Sequence, residues 1–200
     1  MLLQWLELEW DYFLAWRGRL SNWWCDMKEK ELIGKIEQWA EDRNLILGST
    51  PQKQFIKLME EFGELCAGIA RNDKEKIKDS IGDCFVVTVI LSKQLDLVEV
   101  ELYDQRIIGE FMNGIYEHSS TIEQLLESVH NLGAISIPVN QSWRVNKEWI
   151  ELFCINLLII SLFEELSFVE CIKHSYEQIK DRKGRMIDGV FVKEEDLNKE

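Results

Sequence analysis

The chain has 200 residues, with 36 acidic and 23 basic side chains, a formal charge of -13 and 46% hydrophobic residues. This balance is typical of an ordinary folded protein and excludes a largely disordered one. An acidic surface would repel a phosphate backbone over most of its area, so we expect no nucleic acid as a partner. With only 2 prolines, the composition favours long helices over a turn-rich β architecture.

Cysteine usage and hydropathy indicate the compartment. The five cysteines are odd in number, form no CxxC pair and mostly lie in apolar runs, which is typical of reduced core thiols. Acidic residues interrupt the N-terminal stretch before an export signal could form. Even the apolar run 153–163 is too short to cross a bilayer. We therefore expect a cytoplasmic protein with no membrane partner.

Residues 1–30 differ in composition from the rest, because five of the chain's 8 tryptophans lie there. Two interpretations stay open. The segment is either an aromatic extension that packs on the domain or on a partner, or a dispensable stretch translated from an early start codon. We expect one helical domain at 31–193 and an acidic tail at 194–200.

Apolar residues at helical spacing predict a first helix over about 31–44. A second helix is predicted over 51–71, because a capping Ser or Thr precedes a proline at the first helical position. A third is predicted over 74–95, and its nearly all-apolar second half indicates a buried helix. The short connection at 72–73 predicts that the second and third helices are antiparallel neighbours.

Further helices are predicted over 98–116, 121–132 and 147–180, with a Gly- and Pro-containing linker at 133–146. The tail at 184–192 combines two glycines with β-forming residues. This pattern predicts a short hairpin or an extended arm. The predicted fold class is therefore all-α, a helical bundle with a short C-terminal hairpin or arm.

Two parts of the chain share a hydrophobic pattern, which favours an internal duplication. The run 58–65 aligns with 125–132 at an offset of 67 residues, and 95–99 aligns with 166–170 at an offset of 71. The second copy keeps the apolar positions and lacks the acidic residues. A degenerate duplication of a helix pair and a chance similarity between amphipathic helices both stay open.

Five carboxylates at helical spacing lie on the second and third predicted helices: Glu60, Glu61, Glu64, Asp79 and Asp83. Spacings of three and four make them neighbours on their helix faces, where like charges repel by roughly 0.2–0.5 kcal/mol per pair. A solvated acidic face is the ordinary explanation. Against it, Asp83 lies on an apolar stripe and heads into the buried part of its helix.

Glycines occur inside both acidic clusters. Gly63 and Gly82 each cost a helix interior about 1 kcal/mol, and we expect the missing side chains to let the two helices approach closely. Carboxylates that face one another in a partly dry cleft need a compensating cation. Oxygen ligands without His or Cys favour Mg²⁺, or alternatively Mn²⁺, and Mg²⁺ tends to share its shell with substrate phosphates.

Basic residues are available for such phosphates. Lys57 lies one turn before Glu61, and others gather towards the end of the last predicted helix: Lys173, Lys180, Arg182 and Lys183. A solvated surface role explains each of them about equally well. Trp39 is a candidate for stacking on a nucleobase, although a Trp on an apolar helix stripe is more often part of the core.

Two segments resemble the EExxE…ExxD signature of the MazG-like, all-α nucleotide pyrophosphohydrolase superfamily, which includes the dimeric dUTPases: Lys57-Leu-Met-Glu-Glu-Phe-Gly-Glu-Leu65 and Asp79-Ser-Ile-Gly-Asp83. The tail at 175–193 resembles the ending of small MazG-like proteins of bacteriophages and their hosts. The resemblance covers roughly 33–95 and 168–193.

The resemblance implies a helical bundle that binds Mg²⁺ and hydrolyses a nucleoside triphosphate to the monophosphate and pyrophosphate. It places Glu61, Glu64 and Asp83 at metal-ligand positions and Glu60 at the first acid of the motif. The fourth ligand position holds Ser80 instead of Glu. Either the adjacent Asp79 replaces that ligand or water fills the position.

The same resemblance implies a homo-oligomer, a dimer or a tetramer. The aromatic N-terminal segment and the apolar run 153–163 are the candidate interfaces. We expect hydrolysis between the α- and β-phosphates, with Glu60 or Asp79 accepting a proton from water and the basic residues neutralising pyrophosphate. The alternative is a catalytically weakened binding or dimerisation module, which Ser80 and Glu177, at a position where Asn is common, both favour.

Overall fold

The computed structural model describes residues 26–97, 113–114, 116 and 118–197. Its long helices are α1 (Asp26–Asp42), α3 (Pro51–Arg71), α4 (Lys74–Gln94), α5 (Thr121–Gln141), α6 (Lys147–Phe163) and α7 (Phe168–Ile179), with the short helices α2 (Leu45–Gly48) and α8 (Glu194–Leu197). Strands β1 (Gly184–Ile187) and β2 (Val190–Lys193) form an antiparallel hairpin. The predicted all-α fold and the C-terminal hairpin are confirmed. The predictions for 1–25 and for most of 98–116 lie outside the described residues.

Local signals set the hairpin of α3 and α4. The Thr50 side chain accepts a hydrogen bond from the backbone N–H of Lys53, and Pro51 occupies the first helical position. Asn72 ends α3 in the left-handed region at φ 52°, and Asp73 at once caps α4. A connection this short forces the two helices to pack antiparallel, as predicted.

The predicted linker at 133–146 is wrong in its first part. Helix α5 continues through Gly133 and Pro138 to Gln141, because Ile135 and Val139 lie on its buried face and hold that segment against the bundle. Packing of this stripe outweighs the cost of a proline, which removes one intrahelical hydrogen bond.

The predicted single helix over 147–180 is also wrong. Helix α6 ends at Phe163, Glu165 adopts a left-handed conformation at φ 58°, and the N–H of Leu166 bonds to the carbonyl of Ser161. Ser167 then caps α7. The axes of α6 and α7 differ by 106°, so α7 folds back onto α4.

Helix α6 lies in the core. Phe153, Leu157, Leu158 and Ile160 are fully buried within the chain. The run 153–163 is therefore not the interface that the sequence analysis considered, since its apolar surface is already covered by the protein's own helices. Within the described residues, no single helix is long and apolar enough to span a membrane; only α6 and α7 taken together, across their sharp bend, reach that length and composition.

The two helix pairs repeat their caps and burial pattern, but at a different register from the sequence alignment. Thr50 and Ser120 both cap a 21-residue helix, Gln54 and Gln124 are both buried, and the left-handed Asn72 recurs as Ser142. These correspondences give an offset of 70 residues rather than 67. A shift of three residues returns to nearly the same helix face, so hydrophobicity alone could not distinguish the two registers.

The cysteines of the described segments are free thiols, and Cys84, Cys154 and Cys171 are buried. Burial raises the pKa of each of these three thiols, that of Cys171 to about 12. They are core residues, as expected.

The glycines of the acidic clusters differ in role. A Cβ at Gly82 would overlap the carbonyl oxygen of Cys171 and the hydroxyl of Ser175, so the missing side chain lets α7 lie against α4. A Cβ at Gly63 would meet open space. The expected close approach is thus real at Gly82 but involves α7 instead of α3, and the expectation for Gly63 is wrong.

Substitution of these two glycines tests the packing of α7. We expect Gly82→Ala to lower the free energy of unfolding by about 1–3 kcal/mol, because the new methyl group overlaps the α7 backbone. Gly63→Ala is the matched control and should stabilise the protein by up to about 1 kcal/mol through helix propensity. Urea unfolding followed by circular dichroism measures both. Equal effects would contradict the close contact.

Candidate active site

The inner acid of α3 is paired with a lysine. Glu61 is only 8% exposed, and its carboxylate lies 2.7 Å from Lys57 Nζ. The same ammonium lies 2.9 Å from Glu60 Oε2. Burial works against the charge of Lys57, but the hydrogen bonds and charges of the two glutamates outweigh it and raise its pKa. Lys57 therefore supplies the positive charge that these carboxylates need.

Glu64 has a separate partner. Its carboxylate lies 2.9 Å from Lys76 Nζ near the start of α4, and both side chains are well exposed. Surface pairs of this kind contribute little to stability, so Glu64 is free to exchange this partner for another cation.

Asp83 is the acid of this site whose ionised form is disfavoured by its surroundings. Burial raises its pKa to about 6, and the negative charges of Glu61 and Asp79 add to the effect. The nearby Ser175 hydroxyl and the charge of Arg182 act in the opposite direction. Glu61 of α3 and Asp79 of α4 thus lie within electrostatic reach of Asp83.

Asp79 and Ser80 face different environments. The Ser80 side chain is buried, at 2% exposure. The Asp79 side chain is about one-third exposed; it accepts a hydrogen bond of 2.8 Å from Gln178 and lies 3.5 Å from His174 Nε2. Of the two neighbours, Asp79 is the one whose carboxylate shares the surface with Asp83.

The second helix pair lacks counterparts of Glu61 and Asp83, two of these acids. At the offset of 70 residues, the buried Asn131 stands at the position of Glu61. Equivalent backbone bonds end α4 and α6: Leu97 N to Ser92 O and Leu166 N to Ser161 O. They give an offset of 69 residues for the second helices, which places Leu152 at the position of Asp83. The carboxylate cluster therefore belongs to the first pair alone.

The predicted basic residues are not all at the site. Arg182 is close enough to lower the pKa of Asp83. Lys173 pairs with Glu170 at 3.6 Å, and Lys180 pairs with Glu177. These two lysines, like the exposed Lys183, lie on the surface and need to change partner or rotamer to reach a phosphate.

Trp39 belongs to the core. Its indole N–H donates to the carbonyl of Ile179 at 2.8 Å, its ring meets Phe191 edge-on with centroids 6.2 Å apart, and Arg43 lies 4.9 Å above the ring. This is the more ordinary role of a Trp on an apolar stripe, and the ring is 8% exposed.

Three side chains of α7 lie near these acids although the sequence did not predict them there. His174, Ser175 and Gln178 lie one turn apart or less on the face that meets Asp79 and Asp83. They fall inside the tail that resembles MazG-like endings, but nothing in their spacing indicated the contact. It became visible only because α7 folds back at Ser167.

The donor set fits a hard cation, although the side chains are not arranged around one. Among the residues that the structure describes, no group of three or more His, Cys, Asp and Glu side chains is positioned to hold a metal ion. The raised pKa of Asp83 nevertheless shows charges within electrostatic reach. Both observations agree if the ion pairs with Lys57 and Lys76 keep the carboxylates of Glu61 and Glu64 away from a common metal position. Oxygen donors alone suit Mg²⁺ or Mn²⁺.

Comparison with known families agrees with this geometry. Residues 49–103, which include α3 and α4, match the family model of the MazG nucleotide pyrophosphohydrolase domain. This segment is similar to a MazG domain. All five predicted carboxylates lie within the matched segment.

A phage protein is also similar to part of this chain. It is an uncharacterized 18.2 kDa protein from the rep–hol intergenic region of Haemophilus phage HP1, 75% identical over 65 residues. The match covers 32% of this chain and 40% of the phage protein. No solved structure matches the chain.

Removing the charge of Asp83 should stabilise the metal-free protein. Because the pKa of Asp83 is raised in the folded state, its ionisation opposes folding as the pH rises from about 4 through 6. We expect Asp83→Asn to raise the free energy of unfolding of the metal-free protein at pH 7 by about 1–3 kcal/mol. Asp181→Asn, at an exposed acid, should change it by less than about 0.5 kcal/mol. Urea unfolding at pH 7 and pH 4.5 checks this, and the gain should shrink at pH 4.5.

Proposed function

We propose that the protein is a Mg²⁺-dependent nucleoside triphosphate pyrophosphohydrolase, which converts an NTP or dNTP to the monophosphate and pyrophosphate and controls the nucleotide pool. The observation that carries the proposal is the convergence of Glu61, Asp79 and Asp83 inside a MazG-like domain. Burial, and then the negative charges of Glu61 and Asp79, raise the pKa of Asp83 to about 6. A site with excess negative charge gains most from a divalent cation.

The proposed metal ligands are Glu61, Glu64 and Asp83. Bound there, Mg²⁺ would polarise the phosphates and lower the pKa of a coordinated water. Glu60 and Asp79 are the candidates to accept a proton from the attacking water, and Glu60 is the remaining candidate if Asp79 binds the metal.

Lys57 has two roles in this scheme. In the metal-free protein its ammonium neutralises Glu60 and Glu61. A divalent cation at Glu61 would repel that ammonium, and the flexible lysine side chain would then pair with a substrate phosphate. Arg182 is the nearest further cation, and Lys173, Lys180 and Lys183 are available to departing pyrophosphate.

A second candidate function is a MazG-like binding or dimerisation module with weakened catalysis. Two observations favour it: Ser80 is buried at the position of the fourth ligand, and Glu61 and Glu64 already have lysine partners. Such a module would bind nucleotides without releasing pyrophosphate.

Pyrophosphate release from a panel of NTPs and dNTPs, with and without Mg²⁺, separates the two functions. We expect Glu61→Gln and Asp83→Asn each to reduce kcat/KM at least about 100-fold, because each removes a charged metal ligand. Glu127→Gln, at an exposed acid of α5, should leave turnover unchanged. Unchanged turnover in both site variants would refute the site, and no release with any nucleotide would favour the binding module.

We also propose a homo-oligomer, a dimer or tetramer, with the exposed apolar faces of α3 and α5 as its interface. These helices are neighbours, since Gln52 of α3 bonds to the carbonyl of Val139. Their exposed large apolar side chains recur at helical spacing, as expected for an unpartnered face: Ile56, Met59, Ile122, Leu126, Val129 and Ile137.

A charge on this face should dissociate the oligomer. We expect Leu126→Glu to convert the wild-type oligomer to a particle of lower mass, because a carboxylate would be buried without a partner. Leu47→Glu, at a leucine that is 88% exposed on α2, is the matched control and should leave the mass unchanged. Size-exclusion chromatography with light scattering measures both. A wild-type monomer would contradict the proposal.

A further inference from the structure

We infer that α7 is a positioning element of the carboxylate site, and that Gln178 orients Asp79 to take the ligand role that the MazG signature gives to residue 80. The inference rests on the proposed function. It names residues outside the signature and resolves how a site with a serine at this position can still gather four carboxylates.

The first step concerns the choice between neighbours. Ser80 is buried and its side chain is directed into the bundle. Asp79 precedes it by one position, which rotates the side chain by about 100° around α4 and places the carboxylate beside Gln178 and His174. The site therefore already contains an acid on the correct surface.

The second step concerns the orientation of that acid. Gln178 Nε2 donates to Asp79 Oδ1 at 2.8 Å and also lies 2.9 Å from His174 Nε2. An amide NH₂ has two hydrogens, so Gln178 can bridge the aspartate and an unprotonated ring nitrogen. In this arrangement the unprotonated Nε2 of His174 has no hydrogen for Oδ1, which lies 3.5 Å away. Because the Gln178 bond uses Oδ1, Oδ2 of Asp79 is left for another ligand.

The third step concerns the stability of this arrangement. The Ser175 hydroxyl donates to the backbone carbonyl of Asp79 at 3.2 Å, and the missing side chain of Gly82 lets the α7 backbone lie against α4 at the turn between Asp79 and Asp83. A shift of α7 would break the hydrogen bond between Ser175 and Asp79 and would separate α7 from α4 at Gly82.

The C-terminal end of α7 is held as well. The Trp39 indole donates to the carbonyl of Ile179, and the Arg43 guanidinium donates to the carbonyls of Arg182 and Lys180. Gln178 is thus presented to Asp79 by a backbone fixed on both sides. A residue held in this way can orient a ligand before the metal arrives.

Calorimetric titration of the metal-free, full-length protein with Mg²⁺ and with Mn²⁺ tests the inference. We expect Gln178→Met to weaken metal binding about tenfold, because it removes a hydrogen bond to a charged, partly exposed acid. Gln38→Met is the matched control: Gln38 donates to Asp42 at 2.9 Å on α1, and its loss should leave metal affinity unchanged. Thermal melts of the metal-free variants should show similar Tm values.

A double-mutant cycle with Asp79→Asn makes the result specific. If Gln178 acts through Asp79, Asp79→Asn should weaken metal binding at least about tenfold, and adding Gln178→Met should cost little more. At saturating Mg²⁺, the kcat of Gln178→Met should recover to within about threefold of wild type. These outcomes separate orientation of a ligand from general destabilisation.

The inference and the proposed function fail in different ways. If wild type binds Mg²⁺ and releases pyrophosphate while Gln178→Met behaves like Gln38→Met, the role of Gln178 is wrong and the proposed function stands. Additive effects in the cycle overturn the inference in the same manner. A wild-type protein that neither binds Mg²⁺ nor turns over any nucleotide overturns both.

Discussion

Mutual repulsion among Glu61, Asp79 and Asp83 is the constraint on which the rest of this site depends. The capped turn at 72–73 brings α3 and α4 together, and packing of the apolar residues around these acids keeps them partly dry. Burial, with the added repulsion of Glu61 and Asp79, raises the pKa of Asp83 to about 6, so the ionised form of Asp83 lowers the free energy of unfolding. Ion pairs with Lys57 and Lys76 relieve the glutamates.

The second helix pair, α5 and α6, explains how the fold tolerates the unfavourable charges on α3 and α4. The second helix pair repeats the caps and buried positions of the first but has Asn131 and Leu152 at the positions of Glu61 and Asp83. It supplies apolar packing through α6, whose core side chains are almost completely buried. The apolar packing of the second pair thus helps to stabilise a domain in which the first pair carries the partly buried carboxylates.

Much of the fold could be predicted from local signals. The Thr50 cap, Pro51 and the polar turn after Arg71 predicted α3 and α4 closely, and two glycines among β-forming residues predicted the hairpin, which turns at Asp188 and Gly189, both with positive φ. The errors arose where tertiary packing overrides local propensity. Pro138 indicated a linker, yet the buried face of α5 carries the helix past it.

The residues of the candidate site on α3 and α4 could also be predicted from local signals, whereas those on α7 could not. Charge, spacing and order on α3 and α4 predicted that Glu61, Asp79 and Asp83 lie near one another, because short-range geometry brings together residues on one helical hairpin. Their role as a metal site stays a prediction. Ser175 and Gln178 lie almost 100 residues further along the chain. Their arrival depends on the sharp bend before α7 and on the space at Gly82, and no short motif encodes that contact.

A crystal structure of the protein with Mn²⁺, located by its anomalous scattering, tests the central claim most directly. The account predicts one or more peaks between α3 and α4, with oxygens of Glu61 and Asp83 as ligands and the ammonium of Lys57 moved away from Glu61. Anomalous density elsewhere on the surface, or an intact pair of Lys57 and Glu61 at saturating Mn²⁺, would contradict it.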